Sequence, residues 1–392
     1  MTAASPARFA SPEVRAGLYY LSFYVPAAVQ TLLLPIWLDA QGIGEEQIGL
    51  IAAVPIAVMI VLNLLVGRIA DKASDWRNVI VVASLIAAVA SLGLAMVDSF
   101  WGILLIVSLC AIPMMATEPV IDAATMRMTR RRGSDFARVR IWGTVGFVAM
   151  SALAGWIYGW AGIAIFVPLF IATCLLRGGV ALLLPRFRAP DGEAVAPVNI
   201  DAATTMRQVL RPWFVLALAG GAVLQASHML LMSFGALLWV RAGVPESMLG
   251  ILWSVAPVFE LLVIFYFARI ARRFSARHLL LFACICGVVR WTGMPLASEL
   301  WQFAVLQSLH MATFALGYMG MVSFVANWTS EDIAAQAQSF YVVLKQVASV
   351  LALIAFGPLV AAMGMDSYYV AAGVAGLGGA MIVISLAMKK TK

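Results

Sequence analysis

The chain has 392 residues, of which 63% are hydrophobic and 11% charged, and its mean hydropathy is +0.96. An ordinary soluble domain is about 45–50% apolar and about 25% charged, so this composition excludes a soluble enzyme, a disordered regulator and a disulfide scaffold. What it leaves is an all-α protein that crosses a bilayer many times.

A helix needs about 20 apolar residues to span a hydrocarbon core of ~30 Å. Twelve such runs follow one another, at 15–38, 47–66, 79–97, 101–126, 138–159, 162–184, 213–240, 247–267, 279–298, 301–326, 337–361 and 367–388. The first lacks a short apolar core ending in a small-residue cleavage site, so it reads as a retained helix and not as a signal peptide. Cys110, Cys174, Cys284 and Cys286 all fall within apolar runs with no metal or disulfide spacing, and read as packing residues.

Orientation follows from the cations. With the N-terminus inside, 22 of the 26 Lys and Arg residues lie on the cytoplasmic side and only Arg241 lies outside; Arg177, Arg290 and Lys345 sit within apolar runs. The positive-inside rule then places both termini in the cytoplasm of a cell (inner or plasma) membrane. Topology also accounts for the net charge of +7 without a nucleic-acid partner.

The longest polar connection, 185–212, separates a bundle at 1–184 from a second at 213–392. At an offset of 201 residues, Gly42, Glu45, Gly49 and Val54 fall on Gly243, Glu246, Gly250 and Val255, and Arg68-Ile69-Ala70 falls on Arg269-Ile270-Ala271. One register held across loop, helix and loop indicates duplication of a six-helix unit. Transporters with two parallel halves place their substrate near the midplane where the halves meet.

Of the 19 acids, only Glu118, Asp122 and Glu260 lie within apolar runs. A charge at the bilayer centre costs ~2.5–3.5 kcal/mol on the insertion scale, which makes each a candidate for function; the bland alternative is an interhelical ion pair. Glu118 and Asp122 are one turn apart on the fourth helix, with Pro113 and Pro119 loosening the backbone around them, and Arg140 enters on the fifth from the same side. Glu260 lies near the midplane of the eighth helix, and Arg290, at similar depth on the ninth, is its expected partner. A carboxyl that moves between an apolar environment and a guanidinium can load and release a proton. His228 and His310, on the seventh and tenth helices, can donate, accept or titrate. Lys345 can attract an anion or reach the cytoplasmic headgroups, and Arg177 is expected to snorkel. Among the aromatics, Trp253, Phe314 and Tyr318 are the candidates to line a cavity, since 253 shares a face with 260 and 314 with 310.

Gly67-Arg68-Ile69-Ala70-Asp71-Lys72, with Arg77 beyond it, lies between the second and third helices; the glycine permits close approach of two helix ends, and Asp71 can bridge helix termini and cations. This resembles the cytoplasmic gating loop of the major facilitator superfamily. The second copy, Ala268 to Arg277, has Arg272 in place of the acid. Within that superfamily the chain is similar to the phenylpropionate permease group, relatives of lactose permease and the nucleoside symporters. The stretches that carry this are Asp135 to Thr144, Leu224 to His228, Gly250 to Glu260, Cys286 to Trp291 and Gln307 to Phe314.

The resemblance implies two six-helix bundles and alternating access. From the residues themselves, proton coupling is expected at Glu260, Glu118, Asp122 and His310, and solute contacts from Arg290, His228, Lys345, Arg140, Trp253, Phe314 and Tyr318. Where the lactose permease pattern has an acid one turn after the tenth-helix histidine, position 313 is Thr, so coupling is expected to rest on Glu260. The expected activity is proton-coupled import of a small organic solute, an aromatic or other carboxylate, by a monomer whose partners are solute, protons and lipid. The alternatives are a proton antiporter exporting drugs or metabolites, and an importer of a neutral sugar, nucleoside or siderophore-like solute. No cofactor or metal is implied, and no nucleophile constellation suggests an enzyme.

Overall fold

The computed structural model describes residues 11–72, 74–187, 211–329 and 331–389, with the backbone alone for 64–72 and 331–335. The linker at 185–212 therefore lies mostly outside the described residues. The helices are α1 (Pro12–Ala40), α2 (Glu45–Lys72), α3 (Trp76–Leu92), α4 (Phe100–Arg132), α5 (Phe136–Ala161), α6 (Phe166–Ala181), α7a (Pro212–Ser227), α7b (Met229–Arg241), α8 (Glu246–Ala271), α9 (Ala276–Gly293), α10a (Leu300–Ser308), α10b (Gly317–Trp328), α11 (Glu331–Met363) and α12 (Ser367–Met388). Among the described residues, 11 stretches are long and apolar enough to cross a membrane. The last of these, Gln336–Met388, has 53 residues and contains two helices, α11 and α12, so the spans match the twelve apolar runs.

The chain divides into two compact units, one of Met1–Ile43, Val54–Val195 and Pro245–Ile251, the other of Gly44–Ala53, Ala196–Val244 and Leu252–Lys392. In the first unit, short polar side chains start the helices: Ser11 accepts from the Val14 N–H, Ser99 from Gly102 and Asp135 from Ala137. Gly133, at φ +65°, ends α4 in the left-handed conformation that a side chain would resist. Tyr19, Phe23, Ile80, Ile121 and Phe187 form part of the core of this unit.

Two glycines of α5 set how closely α1 lies on it. A Cβ at Gly146 would run into the Leu21 carbonyl, and one at Gly143 would meet the Tyr24 ring and the Arg140 guanidinium. The bare backbone thus presses Tyr24 onto Arg140. Gly146→Ala is expected to destabilise the protein by about 1–3 kcal/mol through overpacking; an unchanged melting temperature of the purified protein would contradict this packing.

In the second unit, Phe214, Leu218, Leu280, Phe324 and Tyr341 are core residues. Two of its helices are interrupted. The seventh span breaks at His228, between α7a and α7b, and the tenth passes through a π-helical turn, Met311–Leu316, between α10a and α10b. A π turn frees a backbone segment from the i,i+4 ladder and often marks a working site.

Arg177 does not snorkel. It is 2% exposed, with its guanidinium 5.0 Å from the centre of the Phe23 ring and its Nε and Nη2 atoms without a hydrogen-bond partner. The aromatic face holds the charge inside the first unit.

Candidate functional site

The three acids of the spans fall into one cluster in each unit, with Arg140 in the first and Arg290, His228 and His310 in the second. In the first, Tyr20 and Tyr24, one turn apart on α1, match Asp122 and Glu118, one turn apart on α4. Tyr20 donates to Asp122 Oδ1 at 2.6 Å and Tyr24 donates to Glu118 Oε1. Arg140 joins the rungs: its Nη2 donates to the Tyr24 hydroxyl and lies 3.8 Å from Glu118 Oε1, while its Nε lies 3.3 Å from Asp122 Oδ1. Its guanidinium carbon also stands 4.7 Å from the Tyr24 ring centre and 5.2 Å from that of Tyr20. The side chains of Glu118, Asp122 and Arg140 are 46%, 36% and 29% exposed. Glu118 Oε2 and Asp122 Oδ2 bond to nothing among the described residues. Two carboxylates against one guanidinium leave a net negative, acceptor-rich surface open to a solute that carries donors.

The cluster of the second unit is closed. Arg290 is fully buried; its Nη1 donates to His310 Nδ1 at 2.8 Å and to Thr313 Oγ1 at 3.2 Å, and its Nη2 donates to Gln307 Oε1. The Trp291 ring centre lies 4.4 Å from the guanidinium carbon. His310 Nε2 is 3.0 Å from Glu260 Oε1. His228, also fully buried, places Nδ1 3.0 Å from the Leu224 carbonyl and Nε2 3.0 Å from Thr313 Oγ1. Trp291 Nε1 donates to Ser227 Oγ at 3.0 Å and braces the break in the seventh span.

Donor arithmetic assigns both histidine tautomers. Arginine only donates, so His310 Nδ1 accepts and its proton sits on Nε2, facing Glu260. A carbonyl only accepts, so His228 carries its proton on Nδ1 and takes the Thr313 hydroxyl proton at Nε2. Two chains of hydrogen bonds leave Arg290: one through His310 to Glu260, the other through Thr313 and His228 to the Leu224 carbonyl. The first ends on a carboxylate whose side chain is 23% exposed, the least enclosed member of the network.

The other expected site residues stand in varied surroundings. His310, expected to carry a proton, accepts from Arg290 at Nδ1 and faces Glu260 with Nε2. Arg290 and His228, expected to contact solute, are fully buried; Arg290 bonds within the unit through Nη1 and Nη2, while its Nε has no hydrogen-bond partner. Trp253, expected at a cavity wall, is buried against Trp239, with ring centres 5.4 Å apart. Phe314 is half-buried, stacked on His310 at 4.8 Å and edge-on to His228 at 5.7 Å, so it shields the histidines. Tyr318 is 47% exposed and Lys345 half-buried. Arg77, expected in the gating loop, donates to the Leu184 and Leu182 carbonyls at the end of α6 and so works as a helix cap. The side chains of Gly67, Arg68, Asp71 and Lys72 lie outside the described residues. Sequence reasoning missed Tyr20 and Tyr24; a tyrosine pair at the same one-turn spacing as the acids was the available signal.

Residues 16–363 match the profile of the MFS_1 like family. The chain belongs to that family of major facilitator transporters. Like its relatives, it is a multi-pass membrane transporter and not an enzyme. The "Probable 3-phenylpropionic acid transporter" of Escherichia coli (strain K12) is 28% identical over 330 residues, covering 82% of this chain and 84% of the relative. The maltose permease of Geobacillus stearothermophilus is 24% identical, with 82% and 81% covered. In fold, this major facilitator protein is similar to the crystal structure of the nucleoside transporter NupG, with a TM-score of 0.81 at 17% identity over 97% of this chain and 100% of that one. A bacterial homologue of the human lysosomal transporter Spinster gives a TM-score of 0.73 at 16% identity.

Proposed function

We propose that this transporter imports a small organic solute together with protons, by alternating access, in a cell membrane with both termini in the cytoplasm. Glu260 is the proton carrier and the cluster of Glu118, Asp122, Arg140, Tyr20 and Tyr24 holds the solute. The observation that carries the reading is the chain from buried Arg290 through neutral His310 to Glu260. A carboxylate at the open end of such a chain can exchange a proton while the rest of the network keeps its hydrogen bonds.

The solute that best suits the first cluster presents hydroxyl or other donors to the free oxygens of Glu118 and Asp122. A second reading, an aromatic carboxylate, is favoured by the similarity to the probable 3-phenylpropionic acid transporter of Escherichia coli. Its carboxylate would have to approach a cluster that already holds one more acid than base. The test is uptake into proteoliposomes under an inward proton gradient, with sugars, nucleosides and 3-phenylpropionate as competitors. Inhibition by hydroxylated solutes and not by 3-phenylpropionate supports the first reading; the reverse supports the second. Accumulation that ignores the proton gradient removes the coupling from both.

Glu118→Gln is expected to weaken solute binding about tenfold or more, the scale of a lost hydrogen bond to a charged group. Arg290→Lys, out of reach of solute, should leave affinity within a few-fold. Equal losses in the two variants, measured by titration of the purified protein, would remove the solute from the first cluster.

A further inference from the structure

The loop between α8 and α9 carries a charge that neither the transport reading nor the fold uses. Residues 261–298 contain no Asp or Glu, yet Arg269, Arg272, Arg273 and Arg277 all fall there. The side chains of Arg272 and Arg273 are exposed and make no hydrogen bond or ion pair among the described residues. Both stand at the junction of two membrane spans, Glu246–Ala271 and Ala276–Leu296.

The first repeat shows what the second lacks. There Asp75 caps α3: its Oδ1 accepts from the Arg77 N–H at 2.8 Å, and both of its oxygens lie 3.1 Å from the Phe187 N–H. Arg77 caps the end of α6, and Arg277 repeats that duty in the second unit by donating to the Ser385 carbonyl at 2.7 Å and the Lys389 carbonyl at 2.5 Å. The arginines thus correspond, but the acids do not. At the 201-residue offset Asp71 falls on Arg272, and the N-cap position that Asp75 fills before α3 is filled by Ser275 before α9. Ser275 leaves the α9 N-terminus uncapped and pairs instead with His278 Nδ1 at 2.7 Å. Where the first repeat supplies its own anion, the second presents free helix N–H groups, two unpaired arginines and the buried Arg277, whose Nε is without a partner.

These groups line a cavity of about 790 Å³, walled by Arg272, Arg273, Ser275, Arg277, Ser323 and Asn327. A second, mostly apolar hollow of about 740 Å³ adjoins it, sharing Arg273, Phe274, Ser275 and Leu279 and walled beyond them by Ile270, His278, Phe282 and Leu316. Phe274 and Phe282 are more than half exposed along it. A basic, hydrogen-bonding chamber beside an apolar groove, at the end of two spans, has the chemistry of a phosphate joined to a hydrocarbon chain.

We propose that this loop binds an anionic phospholipid, with the phosphate among Arg272, Arg273 and the α9 N-terminus and an acyl chain along Phe274, Phe282 and Leu316. The lipid supplies the anion that Asp75 supplies in the first repeat. None of the residues named in the two transport clusters lines these hollows, so the test needs neither solute nor gradient.

The test is native mass spectrometry of the full-length protein in detergent with phosphatidylglycerol, phosphatidylcholine or inorganic phosphate. Phosphatidylglycerol is expected to bind the wild type in preference to phosphatidylcholine, with no competing adduct from inorganic phosphate. Arg272→Gln and Arg273→Gln should each weaken it about fivefold, and Arg272→Asp, which restores the acid of the first copy, should abolish the preference. Both side chains are exposed and unbonded, and a monodisperse elution profile checks that the variants fold. Equal retention of the two lipids, or an unchanged preference in Arg272→Asp, would overturn the site. Displacement of the lipid by millimolar inorganic phosphate would overturn its assignment to lipid.

Discussion

Glu260→Gln is expected to abolish proton-driven accumulation while leaving exchange of solute across the membrane intact. Glutamine has the shape of a protonated glutamate and still accepts from His310 Nε2 at the position now 3.0 Å away. The network around Arg290 therefore keeps its bonds, but the site no longer gains or loses a proton. Reconstituted protein should show counterflow near the wild-type rate together with uptake under a pH gradient no greater than without one. Full gradient-driven accumulation in the variant would move the coupling elsewhere. His310→Gln provides the contrast: its amide oxygen can accept from Arg290 and its nitrogen donate to Glu260, so coupling should persist if His310 only bridges.

Arg290→Met is expected to destabilise the protein by about 3–5 kcal/mol, the usual cost of removing one partner from a buried charged network. Arg290 feeds His310, Thr313 and Gln307 at once and is fully buried, so its loss strands several polar atoms away from water. Arg140→Met, at a cluster with 29% exposure of the arginine side chain, leaves its carboxylates in reach of solvent and should cost much less. Chemical unfolding of the two variants in the same detergent compares them directly; similar losses would mean that the second unit does not depend on its network. Combining Glu260→Gln with Arg290→Met should recover part of the loss by removing the charge that Arg290 balances.

The spans were legible because the bilayer leaves no alternative: a chain must satisfy its backbone within each apolar run, and such runs have the length of the membrane. The acids and bases were legible for the same reason, since a charge in an apolar run is costly and stands out. Partners were not. Tyr20 and Tyr24 are unremarkable in an apolar helix until α5 glycines press α1 onto Arg140. Gln307 and Thr313 acquire meaning only from Arg290. Trp253 shares a helical face with Glu260, yet seven residues separate them along α8, far enough for one to pack on Trp239 while the other meets His310. Spacing along a helix defines direction, not what stands opposite. Arg177 misled for a related reason: its distance from the helix end suggested water, whereas the ring of Phe23 holds it.

The π turn of the tenth span bears on how its residues can be compared or redesigned. Such a turn amounts to one residue inserted into an α-helix. Residues on either side are therefore out of phase by about 100°. Gln307 and His310 follow the winding of α10a, while Tyr318 follows that of α10b. Deleting one residue between Met311 and Leu316 would leave hydropathy and span length almost untouched, yet it would turn the face that carries Gln307 and His310 relative to the face of α10b. The hydrogen-bonded network around Arg290 thus depends partly on the count of residues, and a gap of one in this segment matters more than most substitutions.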